Sequence, residues 1–267
     1  MRLTNIILFI LLSALAKDSA AQQSTIIADF SKYFIDNKVK GCFVIYDMGK
    51  DQLTVSNPER CKTGFLPAST FKIINSLIAL ETGVATGKDF LIKWDGVVHD
   101  FTEWNKDHTL HSAFKTSAYW YYQEIARRIG EDRMKFWLNK SAYGNENLGG
   151  GIDQFWLKGD IRITPIEQAL FLSRLVKETL PFAKLNQQLV KEMMLEKSSD
   201  NYRFGAKTGW AILPDSTNIG WLAGYILKDG KWYTFATNIE SKGEMPGFQK
   251  IRRDITSQIL QQLGLDN

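Results

Sequence analysis

One serine and one lysine in this chain have the types and the spacing that serine nucleophile chemistry requires. Ser69 and Lys72 form a Ser-x-x-Lys motif, and residues three apart on a helix share a face, so the hydroxyl and the amine become neighbours. A serine hydroxyl needs such a base to act as a nucleophile. The motif alone is weak, because the chain repeats it at Ser112 and Lys115.

The surroundings of Ser69 favour the first copy of the motif. A helix is predicted over 70–81, ended by Gly83, and it is apolar nearly all round, as core helices are. A lysine inside a core helix loses hydration, which lowers its pKa from about 10.4 and leaves much of it as the neutral amine that a base requires. The competing interpretation is that Ser69 only caps the helix and Lys72 extends to solvent.

A second motif, Lys207-Thr208-Gly209, follows a predicted strand over 203–206 and precedes Trp210. On an edge strand it would present a cation, a hydroxyl and open backbone groups to a cleft. This motif too has a second copy, Lys62-Thr63-Gly64, which has no strand before it. The position after a strand therefore favours the copy at Lys207.

Between these motifs lies Ser117-Ala118-Tyr119, at the start of a helix predicted over 119–129. Ser117 could project into a cleft from this place. It could equally be a simple N-cap of the helix.

The elements that must position these residues are predicted from the period of the apolar residues. The chain shows a helix, two strands, a helical block, three strands and a last helix, which predicts an α/β (α+β) fold. Its antiparallel sheet would be built from both chain ends, flanked by helices, with an all-helical subdomain inserted. The remaining predicted elements are helices over 26–37, 133–140, 164–175 (opened by a Thr164 to Glu167 capping box) and 248–263, strands over 41–47, 53–55, 220–227 and 232–238, and a hairpin at Asp229-Gly230.

Length, charge and the N-terminus set limits on the kind of protein. Of 267 residues 44% are apolar, as in globular domains, and the net charge of +4 is scattered along the chain, which argues against a nucleic-acid-binding face. Arg2 precedes an apolar run over 6–12 followed by small residues, so 1–21 is predicted to be an export signal, cleaved after Ala16 or Ala21, and 22–267 the mature domain. The run is shorter than the roughly 20 residues of a membrane span.

Neither the cysteines nor the histidines form a zinc signature. Cys42 and Cys61 are the only cysteines, and an exported chain could join them in a disulfide or keep them as half-buried thiols. The three histidines, His99, His108 and His111, lie in a polar stretch, where we expect His108 and His111 to be solvated. No metal site is predicted. A Gly-x-Ser-x-Gly elbow is also absent from the sequence, which disfavours a Ser-His-Asp hydrolase.

The order of Ser-x-x-Lys, a central serine and Lys-Thr-Gly resembles that of the penicillin-recognising serine acyl-transferases. Within that superfamily the chain resembles class D (oxacillinase-type) serine β-lactamases from about 41 to 263. The segments that carry the resemblance are Phe65-Leu66-Pro67-Ala68-Ser69-Thr70-Phe71-Lys72, Tyr143-Gly144-Asn145, Phe155-Trp156-Leu157 and Lys207-Thr208-Gly209-Trp210.

This resemblance implies a mechanism and a set of catalytic residues. The lysine matching Lys72 is carbamylated by carbon dioxide and serves as the base for acylation and deacylation, while Trp156 hydrogen-bonds the carbamate; no other cofactor is implied. The backbone N–H groups of Ser69 and Trp210 would form the oxyanion hole. Ser117 and Lys207 would hold or shuttle the proton for the leaving nitrogen.

The resemblance also implies the substrate-binding residues. Thr208 and Arg252 match the carboxylate clamp, although the neighbouring Arg253 could take that place, and Gly209, Trp210 and Leu157 match the rest of the site. Tyr119 departs from the family, which usually has valine there, beside the lysine. We hypothesise that Tyr119 tunes the deacylation rate or the stability of the carbamate.

The resemblance further implies a periplasmic enzyme, monomeric or homodimeric, that hydrolyses β-lactam antibiotics and confers resistance. Its partners would be small-molecule β-lactams. Two related functions are alternatives that the sequence disfavours. One is an extracellular β-lactam sensor domain, which is acylated but hardly deacylates and is tethered by membrane helices that the sequence does not predict. The other is a D-alanyl-D-alanine carboxypeptidase or transpeptidase, which acts on a peptide and is disfavoured by the Tyr-Gly-Asn and Phe-Trp-Leu segments.

Overall fold

The structure is a computed structural model that describes residues 23–266. The strands are β1 (Ser24–Ile27), β2 (Lys40–Asp47), β3 (Gln52–Ser56), β4 (Leu91–Ile92), β5 (His108–Thr109), β6 (Leu195–Ser198), β7 (Tyr202–Ile212), β8 (Thr217–Lys228) and β9 (Lys231–Lys242). The helices are α1 (Ser31–Asp36), α2 (Pro58–Cys61), α3 (Lys72–Glu81), α4 (Leu110–Thr116), α5 (Tyr119–Ile129), α6 (Glu131–Ser141), α7 (Pro165–Val176), α8 (Lys184–Met194) and α9 (Phe248–Gln262), with 3-10 turns at Ala68–Phe71 and Thr102–Trp104.

The main sheet has the order β1-β3-β2-β9-β8-β7-β6. Its centre is the antiparallel pairing of β2 with β9, which joins an early strand to a late one, so the sheet is built from both chain ends as predicted. Helices from the middle of the chain, such as α3 and α5, pack into one large core with the sheet, and α1 and α9 cover the other face. The predicted α/β fold is confirmed.

Three details of the fold prediction are wrong. The predicted helix over 26–37 begins only at Ser31, because Ile26 and Ile27 lie in β1. β1 pairs in parallel with β3, so the sheet is not wholly antiparallel. The inserted helical region is also not wholly helical, since it contains the short pair β4 and β5.

The late strands are longer than the sequence pattern indicates, and this matters for the site. β7 continues past Ala206 to Ile212, so Lys207-Thr208-Gly209 lies within the strand rather than after it. The pairing of β6 with β7 reaches only to Gly205. The predicted hairpin turn joins β8 to β9, where Asp229 and Gly230 both have the positive φ that a tight turn of this kind requires (50° and 75°).

Three helices agree with the prediction. α5 has the predicted bounds, and Thr164 caps α7 through the predicted box with Glu167. The helix after Ser69 begins as a 3-10 turn and becomes α-helical at Lys72. Almost every residue of α3 is buried, as its all-round apolar pattern predicts.

The cysteines and histidines depart in part from expectation. Cys42 and Cys61 are free thiols and are fully buried rather than half-buried. His108 is also fully buried, not solvated, because its ring nitrogens are satisfied by the Ser112 hydroxyl at 2.9 Å and the Glu103 carbonyl at 3.0 Å. Over residues 23–266 the longest helices are too short or too polar to cross a bilayer. The predicted signal segment lies outside the described residues.

Candidate active site

Ser69 and Lys72 meet at the start of α3. The 3-10 turn brings Nζ of Lys72 to 2.8 Å from Oγ of Ser69. The lysine is fully buried, and burial lowers its pKa from 10.5 to about 7. A large fraction of this amine is therefore neutral near neutral pH, and a neutral amine can accept a proton from the hydroxyl.

Lys207 and Ser117 form a second contact across the cavity. The Lys207 ammonium donates a short hydrogen bond to Oγ of Ser117 and a longer one, 3.3 Å, to the Thr208 carbonyl. Burial, together with the positive charges of Lys72 and Arg252, holds the pKa of Lys207 well below its usual range. A lysine in this state exchanges its proton readily with a neighbouring hydroxyl.

The N-cap interpretation of Ser117 is wrong. Ser117 is the C-cap residue of α4, and Ala118 stands before the first turn of α5. The φ of Ser117 is 58°, and Ala68, the residue before Ser69, has φ 48°. A non-glycine residue in this left-handed region costs about 1 to 2 kcal/mol, and such strain is concentrated at functional sites.

Trp156 packs against the residue that precedes Lys72. Its indole is fully buried and stacks on the Phe71 ring at 5.2 Å, while Phe155 meets the same ring edge-on at 4.9 Å. Nε1 of Trp156 is buried and has no hydrogen-bond partner within the described residues. Buried donors are nearly always satisfied, so this nitrogen is suited to bind an acceptor that enters the site.

The Tyr143-Gly144-Asn145 turn holds the loop that carries Trp156. The side-chain oxygen Oδ1 of Asn145 accepts a hydrogen bond from the backbone N–H of Arg162 at 2.8 Å, and the side-chain Nδ2 donates to the Asp160 carbonyl at 3.0 Å. A side chain at Gly144 would lie 2.0 Å from the Arg162 carbonyl, so only glycine fits. The turn therefore ties the start of this loop to its end.

β7 forms the other wall of the site. The strand lies so close to the turn before Ser69 that a Cβ at Gly209 would be 2.8 Å from the Pro67 carbonyl oxygen. Nη1 of Arg252, on α9, donates to the Gly209 carbonyl at 2.9 Å. Arg253 instead forms a two-point ion pair with Glu196, both contacts at 2.8 Å. Of the two arginines, Arg252 faces the site.

Ser69, Ser117, Thr208 and Arg252 line one cavity of about 540 Å³. Three of its lining residues are cationic, Lys115, Lys158 and Arg252, and in the described part of the chain none of the lining residues is acidic. The cavity therefore favours an anionic ligand. Its lining residues are Ser69, Phe101, Trp104, Lys115, Thr116, Ser117, Tyr119, Gln123, Gln154, Leu157, Lys158, Thr208, Trp210, Gln249 and Arg252.

The side chains in the second copies of both motifs make other contacts or are exposed. The Ser112 hydroxyl belongs to the capping box of α4, and the Lys115 ammonium donates to the Leu195 carbonyl at 2.7 Å. Lys62 and Thr63 are exposed at the end of α2.

Some cavity residues were not singled out from the sequence. Phe101, Gln123 and Gln154 line the cavity, and they come from three separate segments. His99 was considered only as a metal ligand, yet its Nδ1 lies 3.2 Å from the Tyr119 hydroxyl. Over residues 23–266 the acidic, histidine and cysteine side chains form no cluster that could hold a metal ion.

Comparison with known proteins identifies the family. Residues 41–261 match the penicillin binding protein transpeptidase domain. The probable β-lactamase YbxI of Bacillus subtilis is 42% identical, over 88% of this chain and 86% of its own length. The crystal structure of the class D β-lactamase YbXI from Nostoc superposes with a TM-score of 0.84 at 39% identity, over 89% of this chain and 99% of that one.

A penicillin receptor is also similar. The C-terminal domain of the BlaR penicillin-receptor of Bacillus licheniformis has a TM-score of 0.87 at 30% identity, over 92% of this chain and 99% of that domain. Sequence identity is higher to the enzymes named above than to this receptor domain. This chain belongs to the class D serine β-lactamases.

Proposed function

We propose that the chain hydrolyses β-lactam antibiotics through a covalent acyl-enzyme on Ser69, with carbamylated Lys72 as the general base. The observation that carries the proposal is the 2.8 Å contact between Nζ of a fully buried Lys72 and Oγ of Ser69. Oγ of Ser69 would bond to the carbonyl carbon of the lactam as the ring C–N bond breaks, and the ring nitrogen would take a proton. Water would then cleave the ester and release the product.

The surroundings of Lys72 fit a carbamate. Carbon dioxide reacts with neutral amines, and burial lowers the pKa of Lys72 to about 7. The unpartnered Nε1 of Trp156 is a buried donor beside the same helix turn. A carbamate supplies an anion that can accept the proton of Ser69 and later that of the hydrolytic water, and Trp156 would hold it.

The charge of Lys207 also supports the proposal. As a cation Lys72 lowers the pKa of Lys207, whereas an anionic group at the same place would raise it. Lys207 would then carry a proton that it can deliver through Ser117 to the leaving nitrogen. Ser117 and Lys207 are thus proposed to protonate the leaving group.

The oxyanion hole and the carboxylate clamp are proposed on the β7 side. The backbone N–H groups of Ser69 and Trp210 would bind the developing oxyanion, a device whose single-donor loss costs about 3 to 4 kcal/mol. Support comes from the close approach of β7 to the Ser69 turn at Gly209. Arg252 and Thr208 line the cavity and would bind the substrate carboxylate. Leu157 and Tyr119, which also line it, would contact the rest of the substrate.

The proposal extends to the place and setting of the enzyme. The predicted signal over 1–21 would direct the chain to the periplasm, where β-lactam hydrolysis would confer antibiotic resistance. N-terminal sequencing of the protein from a periplasmic extract would show the cleavage site. Whether the mature domain is a monomer or a homodimer would follow from sedimentation of the same sample.

One experiment tests the function against the sensor alternative. Purified protein is given a chromogenic β-lactam with and without added bicarbonate, and its intact mass is measured after incubation with benzylpenicillin. Fast turnover that bicarbonate raises is expected. A stable acyl adduct without turnover would instead indicate a receptor-like binding domain, and no adduct with Ser69→Ala would confirm the nucleophile.

A further inference from the structure

The segment between β4 and α4 is held rigidly beside the cavity by side-chain bonds. The Asn105 side chain accepts from the His99 backbone N–H at 2.8 Å and donates to the His99 carbonyl at 2.9 Å. Nε1 of Trp104 donates to the Thr116 carbonyl at 2.9 Å, and Nε1 of Trp94 donates to the Val97 carbonyl at 2.8 Å. The backbone of His99 is therefore fixed in place on both sides.

The side chain of His99 reaches Tyr119 from this segment. Its Nδ1 is hydrogen-bonded to the Tyr119 hydroxyl at 3.2 Å, and the two rings pack edge to face with centroids 5.2 Å apart. Trp104 packs against the same tyrosine ring at 5.0 Å and 87°. Tyr119 is thus clamped between two aromatic rings and one hydrogen bond, so its ring direction is defined.

Tyr119 in turn forms part of the cavity wall. It lines the cavity with Trp104 and Leu157, on the side formed by the helical subdomain. Arg252 and the Lys-Thr-Gly strand lie on the other side, formed by β7 and α9. The two walls differ in chemistry, since one offers aromatic faces and the other offers Arg252 and Thr208.

The two ends of a penicillin match these two walls. Its carboxylate and its acylamino group lie at opposite ends of the fused rings. With the carboxylate at Arg252 and the lactam carbonyl at Ser69, the acyl side chain is directed to the wall that Tyr119 and Trp104 form. Flat aromatic acyl groups pack well on such rings.

We propose that His99 is a positioning residue that holds the Tyr119 ring as the wall for the substrate's acyl side chain, and so favours β-lactams with aromatic acyl groups. This inference rests on the proposed β-lactamase function. His99 would not touch the reacting atoms, so its effect is expected in substrate binding and not in the chemical step. Because it acts through Tyr119, its effect should depend on the tyrosine hydroxyl.

The test compares two penicillins that differ in the acyl side chain. Benzylpenicillin carries an aromatic acyl group, and 6-aminopenicillanic acid carries none. For His99→Phe, which keeps a ring but loses the hydrogen bond, KM for benzylpenicillin should rise about twofold to tenfold, as expected for one neutral hydrogen bond. Its kcat, and both constants for 6-aminopenicillanic acid, should stay within about twofold of the wild type.

Three further variants show whether the bond itself is responsible. His99→Asn keeps a polar group near the place of Nδ1 and should recover most of the loss. Tyr119→Phe should raise KM for benzylpenicillin as much as His99→Phe does, and the double variant should be no worse than either. His111→Phe, a change to another half-buried histidine outside the cavity, should leave KM unaltered.

The outcomes separate the inference from the function on which it rests. Equal losses for both penicillins, or additive effects of His99→Phe and Tyr119→Phe, would overturn the positioning role. A loss that His99→Asn does not recover would do the same. Failure of the wild type to hydrolyse either penicillin would overturn the proposed function instead.

Discussion

Trp156→Phe is the change that tests most directly whether Lys72 acts as a carbamate. The indole is fully buried and stacks on Phe71 at 5.2 Å, so a phenyl ring keeps much of the packing. Its Nε1 has no partner within the described residues. Removing that nitrogen therefore leaves no group of the unmodified protein without a hydrogen bond. A loss of activity should therefore appear only when Lys72 carries a carbamate that accepts a hydrogen bond from this nitrogen.

The size of that loss follows from the kind of bond. A hydrogen bond to a charged group is worth about 1.5 to 3 kcal/mol, which corresponds to a factor of roughly 10 to 150 in an equilibrium constant. The bicarbonate concentration that gives half-maximal activity should rise by this factor in Trp156→Phe. At saturating bicarbonate the rate should return toward that of the wild type.

The assay is the initial rate of chromogenic β-lactam hydrolysis in degassed buffer over a series of bicarbonate concentrations. Incorporation of ¹³C-labelled bicarbonate, followed by NMR, reports the carbamate itself. Trp137→Phe is the matched control, because Trp137 stacks on Phe182 at 5.0 Å and lies outside the cavity. An unchanged bicarbonate dependence in Trp156→Phe, or an equal shift in the control, would refute the reasoning.

Three more results are expected. The pKa of Lys72 is about 7 in the folded protein and 10.5 in the unfolded chain, so the unfolded chain binds more protons between these pH values. The free energy of unfolding, measured by denaturant titration, should therefore rise with pH over this range. Lys72→Met should abolish this rise, increase the stability at pH 7 and abolish hydrolysis. Arg252→Ala should lower kcat/KM about tenfold to a hundredfold, because it removes a charge-assisted hydrogen bond to the substrate carboxylate. Arg253→Ala is the control: it loses only the ion pair with Glu196, and kcat/KM should change less than about twofold. Gly209→Ala places a Cβ 2.8 Å from the Pro67 carbonyl, and it should reduce kcat and cost about 1 to 3 kcal/mol of stability in thermal unfolding.

Local patterns were sufficient wherever one periodicity extends over a whole element. α5 was predicted with its bounds, and the buried α3 followed from its apolar residues. The prediction failed at the N-terminus because Ile26 and Ile27 also fit a helical period. They form a strand only because they pair with Thr54 and Val55 of β3, 28 residues further along the chain. Pairing between distant segments is a tertiary effect that propensity does not contain.

The site shows the same division between local and distant information. The pairing of Ser69 with Lys72 is local and could be read from helix geometry. The contact between Lys207 and Ser117 joins residues 90 positions apart, and their order in the sequence only suggested it. The bond from His99 to Tyr119 had no signal in the sequence, because His99 lies in an irregular segment whose path depends on Asn105.

The site concentrates features that oppose stability in one place. Lys72 and Lys207 are both buried close enough for their charges to repel, and Ala68 and Ser117 are both held in the left-handed region. A buried charge is costly unless it is paired, so an anionic group on Lys72 would turn the repulsion into an attraction. On this reasoning, the proposed carbamate both activates Ser69 and relieves part of the electrostatic cost that the fold imposes on its own active site.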